Sequence, residues 1–295
     1  MPTLGSLLLD ATRQLRPTSL SPRLDAEVLL AFAMGISRGG LLSKINDAVE
    51  ESRALKFAGF LRRRRSGEPV AYITGVKEFW SLEFEVTPVV LIPRPETELL
   101  VERALQILSE RPGADSILDL GTGSGCVAVA LAVELLKRGR TFKLLACDKS
   151  QAALEVARRN VVKHGLERRI ELLASDWFKG LESARQAFDI IVCNPPYVAE
   201  EDLQVSADLR YEPQAALCGG VDGLMEIRKI VSEVEGYLKP QGVFLCEIGS
   251  DQRADLEKEL LALKSAGALL CEQFTFLKDL AGRDRVLELK KAASS

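Results

Sequence analysis

Four consecutive residues, Asn194-Pro195-Pro196-Tyr197, follow directly on the apolar run FDIIVC. An amide nitrogen is a poor nucleophile because its lone pair is shared with the neighbouring carbonyl. A protein that uses such a nitrogen has to draw the lone pair back and aim it at an electrophilic carbon. Asn194 Oδ1 and the Pro195 carbonyl are two acceptors suited to gripping the two N–H bonds of a planar NH₂ group. Two prolines stiffen the backbone that carries them before any substrate arrives. Tyr197 supplies a flat ring on which the same group can stack. Asn194 and Pro195 are the candidate catalytic residues, with Pro196 and Tyr197 completing the candidate substrate-binding set.

A second group of residues points to a nucleoside ligand. The segment ILDLGTGSG places Gly121, Gly123 and Gly125 between an apolar strand and an apolar helix, with Thr122 and Ser124 between them. Glycines there let the chain turn sharply and bring a ligand close to backbone N–H groups. Asp148 ends the next strand, where a carboxylate can accept from both hydroxyls of a ribose. The dinucleotide fingerprint would need glycine where this chain has Cys126, and no lysine or arginine lies in the turn to meet a pyrophosphate. Asp119 instead offers a carboxylate to a positive α-amino group, such as that of S-adenosylmethionine. Asp176 and Trp177, just after the third strand, suit an adenine amino group and an adenine face. Asn194 stands close enough in this arrangement to be counted with the cofactor residues as well.

Other polar residues carry less. His164, the one histidine, ends an amphipathic helix before Gly165 and is expected to be structural. Glu96 and Glu98 fall in the first turn of a helix, where acids complement the dipole. No group of His, Cys and acids has metal-ligand spacing, so no metal is expected.

The elements that must hold these residues can be read from periodicity. Leu4, Leu7, Leu8, Ala11 and Leu15 form one helical stripe, and Leu24, Val28, Leu29, Phe32 and Ala33 a second after Ser21-Pro22. A third helix is expected over Asp47 to Arg65, ending in Arg62-Arg63-Arg64-Arg65. That run is either a solvated helix end facing the negative dipole or a docking patch. Residues 76–92 alternate like a hairpin. A helix over 95–110 precedes strands at 116–120, 142–147, 170–174, 188–193 and 242–248, with helices between the first four and before the last. That order predicts a doubly wound parallel sheet of the α/β class. EQFTFL and DRVLELK near the end are joined by too short a turn for a parallel crossover, so they pair antiparallel. The expected division is a helical domain at 1–75, a β-hairpin linker at 76–94 and a catalytic domain at 95–295.

Composition narrows the class of partner. At 295 residues and a formal charge of -3, the chain lacks the basic excess of a general nucleic-acid binder. The six cysteines include no C-x-x-C pair, and several sit in apolar runs as small core hydrophobes. Such usage fits a reducing compartment, and the N-terminus has no signal-peptide pattern. No apolar run approaches the ~20 residues that span a bilayer. A soluble cytoplasmic protein, monomeric by default, is expected.

The pattern D-x-G-x-G-x-G, followed by acids after the second and third strands, resembles the class I methyltransferases. That resemblance implies a seven-stranded sheet with an antiparallel last hairpin, and S-adenosylmethionine as methyl donor. Asn-Pro-Pro-Tyr resembles the element of amino-methyltransferases acting on adenine, cytosine or glutamine nitrogen, and by itself leaves these substrates open. Ile92-Pro93-Arg94-Pro95-Glu96-Thr97-Glu98, the run Leu209-Arg210-Tyr211-Glu212-Pro213 through Ala216-Leu217, and Gly220-Val221-Asp222-Gly223-Leu224 resemble the release factor glutamine methyltransferases, the HemK family. With the element order and helical start, the resemblance covers nearly the whole chain. It implies methylation of the N5 atom of the glutamine in the Gly-Gly-Gln motif of class I peptide-chain release factors. It also implies that the Pro93–Glu98 segment lines the pocket. A DNA adenine or cytosine methyltransferase is the alternative enzyme, and a non-catalytic cofactor-binding module the alternative from another class. The charge and the lack of a large target-recognition insert weigh against DNA.

Overall fold

The computed structural model describes residues 1–111, 115–205, 209–269 and 271–293. Residues 294–295, the end of the expected catalytic domain, lie outside them. Contacts divide the chain into two units, the first made of residues 1–76 with 209–211 and the second of most of the remainder.

The first unit is helical. Helices α1 (Leu4–Leu15), α2 (Pro22–Met34), α3 (Arg38–Ser43), α4 (Glu51–Arg65) and α5 (Val70–Thr74) enclose a core that includes Leu8, Leu15, Leu29, Leu30 and Phe57. The stripe of α1 is buried at Leu4, Leu8, Ala11 and Leu15. That of α2 is turned from the expected face: Ala26, Leu29, Leu30 and Ala33 are buried, while Leu24 and Phe32 are exposed. The third expected helix starts four residues late. Asp47 and Val49 exchange backbone hydrogen bonds with Leu4 and Pro2, which holds 47–49 extended against the N-terminus. The arginine run is largely committed within this unit. Arg63 forks onto Glu68, and Arg64 Nε donates to Asp25 Oδ2 at 2.7 Å with both side chains little exposed.

A tight hairpin follows, β1 (Val76–Phe79) and β2 (Leu82–Glu85), all but its first residue in the second unit. Its central residues Trp80 and Ser81 have φ of 54° and 56°. Those are the left-handed conformations a two-residue turn of matching twist requires, adopted here without glycine. Phe79 and Phe84 enter the core of the second unit, and the expected strand stops at 85.

After a short 3₁₀ turn at Pro95–Thr97 come α6 (Glu98–Ser109), β3 (Asp115–Leu120), α7 (Cys126–Lys137), β4 (Phe142–Asp148), α8 (Gln151–Lys163), β5 (Ile170–Ala174) and β6 (Phe188–Cys193). The chain continues through α9 (Glu200–Val205), α10 (Met225–Val234), β7 (Leu238–Glu247), α11 (Arg253–Ser265), β8 (Cys271–Lys278) and β9 (Asp284–Lys291). The sheet has seven strands in the order β5-β4-β3-β6-β7-β9-β8. Pairs β3–β4, β3–β6, β4–β5 and β6–β7 are parallel, while β9 is antiparallel to both neighbours. The doubly wound sheet and the antiparallel end expected from the sequence are both present.

Period-two burial sorts the strand residues onto two faces. Ile117, Ile190, Val192, Val243 and Leu245 pack with α6, α7 and the hairpin. Leu118, Leu120, Ile191, Cys193, Phe244 and Cys246 pack with α10 and α11. All six cysteines are free, and five are buried. Strand order reverses at β3, whose neighbours β4 and β6 lead away in opposite senses. A crevice forms beyond the carboxyl ends of strands at such a point.

Candidate functional site

Four of the polar residues singled out by the sequence sit at the carboxyl end of a parallel strand or just beyond it. Asp119 lies near the end of β3, Asp148 ends β4, Asp176 follows β5, and Asn194 follows β6. A pocket at these ends is lined by Asp119, Gly121, Thr122, Gly123, Ser124, Asp148, Asp176, Trp177, Asn194 and Pro196.

The glycine turn leaves β3 with Gly121 and Thr122 donating to the Cys147 carbonyl at 2.8 and 2.9 Å. Gly121 has φ 73°, and a Cβ there would stand 3.3 Å from the Trp177 ring. Glycine is thus required both by backbone conformation and by the indole laid against it. Asn160, fully buried on α8, braces the turn from behind. Its Nδ2 donates to the Ser124 carbonyl at 2.8 Å and to the Glu85 carbonyl at 2.9 Å, while Oδ1 accepts from Glu85 N–H at 2.7 Å.

The acids differ in state. Asp119 is 3% exposed and accepts from Thr122 Oγ1 at 2.6 Å. Burial pushes its carboxyl up to about 7, against the pull of hydrogen bonds from Thr122 and the Ala128 backbone. Asp148 accepts from Gly123 N–H and Ser150 N–H, both at 2.9 Å, one on each oxygen. Each oxygen keeps a lone pair for a further donor. Asp176 is more exposed, and its hydrogen bond from Lys179 holds it below the usual carboxylate range. Trp177 adopts φ 55° and anchors its indole by donating Nε1–H to Glu226 Oε2 at 2.7 Å.

Asn194 donates through Nδ2 to Thr97 Oγ1 at 3.2 Å, and its Oδ1 is buried with no hydrogen-bond partner among the described residues. A buried acceptor left open costs about 1–3 kcal/mol, so an unpaired one on a pocket wall points to a ligand donor.

Gly125, Pro195 and Tyr197 are not among the residues that line the pocket. Gly125 caps α7 at φ 80° against Ala157. The Tyr197 hydroxyl donates to Glu247 Oε1 at 2.9 Å, and burial with that neighbouring carboxylate raises the phenol above its usual range. Of the segment around Pro93–Glu98, Pro93 and Thr97 reach the pocket. Glu98 instead accepts from Trp80 N–H at 2.7 Å, and Arg94 pairs with Glu212. Glu212 also accepts from Ile92 N–H, tying this loop to the stretch whose Pro213, Ala215 and Ala216 form another part of the wall. His164 meets the Glu83 carbonyl at 3.1 Å and packs on Phe84, away from the pocket.

Sequence reasoning missed Asn160, Glu226 and Glu247. Glu247 alone left a signal, a carboxylate closing the apolar run VFLCE.

Residues 6–75 match the family described as the PrmC N-terminal domain, and residues 96–218 the methyltransferase small domain. The chain is 42% identical to the release factor glutamine methyltransferase of Moorella thermoacetica over 96% of each chain. It is 42% identical to that of Pseudomonas aeruginosa, covering 97% of this chain and 98% of the other. It is 39% identical to that of Coxiella burnetii, covering 95% and 96%. Among solved structures, the hMettl16 catalytic domain in complex with a MAT2A 3′UTR hairpin superposes with a TM-score of 0.56 at 17% identity, covering 83% of each chain. Human methyltransferase 10 domain containing protein gives 0.51 at 18% identity, covering 73% of this chain and 90% of that one. These structural likenesses establish the methyltransferase fold.

Proposed function

The chain belongs to the release factor glutamine methyltransferase family, and from that premise we propose that it methylates the side-chain N5 of the glutamine in the Gly-Gly-Gln motif of class I release factors. S-adenosylmethionine is the proposed donor. The observation that carries this reading is the buried, unpartnered Asn194 Oδ1 on a wall shared with Asp119, Asp148 and Trp177.

The residues present suit that cofactor. Asp148 keeps lone pairs for two ribose hydroxyls, and Trp177 lies beside the glycine turn as a face for adenine. Asp176 suits the exocyclic amine. Asp119 is a buried acid whose ionised form lacks a cation, which the α-amino group would supply. Gly121, Thr122, Gly123, Ser124 and Gly125 form the turn that lets the ligand approach the backbone. When bound, the cofactor supplies a methyl group made electrophilic by a sulfonium sulfur.

The chain's own task is orientation. Asn194 Oδ1 accepts one N–H of the substrate amide, and the Pro195 carbonyl, although Pro195 is not among the residues lining the pocket, is proposed to accept the other. Both acceptors draw the shared lone pair toward nitrogen and turn it to the incoming carbon. The excess proton departs to solvent or through Asn194. Tyr197, with its hydroxyl engaged by Glu247, serves this loop as a brace more than as a stacking platform.

Residues 1–75 are proposed to dock the protein substrate, residues 76–94 to connect, and residues 95–295 to carry the chemistry. No helix among the described residues is long and apolar enough to cross a membrane. The chain is proposed to act as a monomer in the cytoplasm. The proposed transfer routes no step through a metal ion.

Incubation of purified release factors with the enzyme and isotopically labelled cofactor, followed by peptide mass spectrometry, tests the reading. A single methyl on the Gly-Gly-Gln glutamine is expected. Label found in DNA adenine or cytosine instead would establish the alternative.

A further inference from the structure

Pro195 and Pro196 stiffen the loop that carries the amide grip, and they also remove two of its handles. Neither has an N–H, so between Asn194 and Tyr197 the backbone can be held only through carbonyls. A proline fixes φ and leaves ψ free. The loop can therefore swing as a stiff unit unless its far end is tied down. Its near end is fixed by β6.

The far end is tied at Tyr197. Gln252, buried at the start of α11, donates through Nε2 to the Tyr197 carbonyl at 2.9 Å, and its Oε1 accepts from Gly249 N–H at 2.8 Å. A backbone N–H only donates and a carbonyl only accepts, so these two contacts leave the Gln252 amide a single orientation. Its own backbone is fixed in turn, donating to the Gly249 carbonyl and accepting from Leu256 N–H, both at 3.1 Å. One residue beyond Tyr197, Val198 N–H donates to the Leu217 carbonyl and the Val198 carbonyl accepts from Gly219 N–H, both at 2.9 Å. Gly223 closes over the Gln252 contact at φ 73°. A Cβ there would overlap the Tyr197 carbonyl oxygen and stand 2.5 Å from Gln252 Nε2.

We propose that Gln252 is a positioning residue for methyl transfer. By holding the Tyr197 carbonyl it fixes the far end of the Asn194–Tyr197 loop, and so sets where Asn194 Oδ1 and the Pro195 carbonyl stand. Gly223 leaves the room that this contact needs. Gln252 is not among the residues that line the pocket, so its effect travels through the loop. The proposal rests on the amide-gripping role of Asn194.

Gln252→Met keeps the length of the side chain and removes both polar groups. Gly223→Ala leaves Gln252 intact and puts a methyl group into the contact. With intact release factor and saturating cofactor, each should lower kcat about 10- to 100-fold, with KM and cofactor Kd within about threefold. A short Gly-Gly-Gln peptide should lose the same factor, because the defect lies in the grip and not in docking. In an Asn194→Ala background, adding Gln252→Met should cost less than about twofold more, because no grip is left to position. Thermal melts of every variant set an assay temperature at which each is folded. Wild-type kcat in Gln252→Met and Gly223→Ala, beside a slow Asn194→Ala, would overturn the positioning role and leave the amide grip standing. A loss confined to KM, or losses that multiply in the double variant, would overturn it as well. An Asn194→Ala enzyme as fast as wild type would overturn the underlying reading itself.

Discussion

Asp119 is almost cut off from water, and its Oδ2 accepts from the Thr122 hydroxyl. Its carboxyl, pushed up to about 7 by burial, is largely neutral below that pH and charged above it. A cationic α-amino group binds the charged form, so binding on the acid side must release a proton. Affinity for S-adenosylmethionine should therefore rise about tenfold per pH unit up to about 7 and then level. It should fall again above about 8, where an α-amino group loses its own proton. Calorimetry in buffers of different ionisation enthalpy reads the released proton directly. Asp119→Asn should bind weakly with no acid limb, and an unchanged pH profile would remove Asp119 from the amino-group site. Asp148→Ala is a separate matter, because its partners are backbone N–H groups of the turn and of α8. It should weaken binding by about 1.5–3 kcal/mol, the scale for hydrogen bonds to a charged group. Wild-type affinity in the same titration would exclude it.

At the scale of elements, the glycine turn is held by neighbours that no local pattern announces. Asn160 reads in sequence as one polar position on an amphipathic helix, yet it satisfies three backbone groups of β2 and the turn. Asn160→Ala should cost about 3 kcal/mol, the scale for stranding buried polar partners, and should loosen cofactor binding with it. Chemical denaturation alongside calorimetry checks both, and a variant with wild-type stability would show the brace to be dispensable. The same contrast explains what could be read in advance. Gly121, Asp119, Asp148 and Asn194 were legible because strand periodicity and strand-end position place them without knowledge of the packing. Glu98, Asn160 and Glu226 were not, since each works through a partner between 18 and 75 residues away in sequence. The face of α2 escaped for a related reason. A helix packed on several neighbours buries a broad stripe, and which apolar residue falls at its margin is a tertiary matter. The start of α4 was decided by pairing of 47–49 with the N-terminus, which competes with helix propensity.

At the scale of the whole molecule, the question is what makes the substrate a protein. The proposed Asn194 grip would suit any planar NH₂, which adenine, cytosine and glutamine all offer, so on that reading selectivity has to come from contacts remote from the pocket. The helical unit is the candidate source, though its most conspicuous feature contributes less than its charge suggests. Arg63 and Arg64 are tied to Glu68 and Asp25, so the run offers fewer free cations than four adjacent arginines imply. Docking through this unit should then survive moderate salt better than a phosphate-like contact would. An intact release factor should be methylated far faster than a short Gly-Gly-Gln peptide. Deleting residues 1–75 should bring the two rates together while cofactor binding, measured on the same variant, stays within about threefold if the second unit keeps its fold. Changing the target glutamine to glutamate should abolish transfer, because a carboxylate has no N–H to offer Asn194 Oδ1. Radiolabel transfer to the four combinations of full or shortened enzyme and full or shortened substrate is the measurement. Equal rates on peptide and release factor with the full-length enzyme would place all recognition in the pocket, and leave the helical unit a role in stability alone.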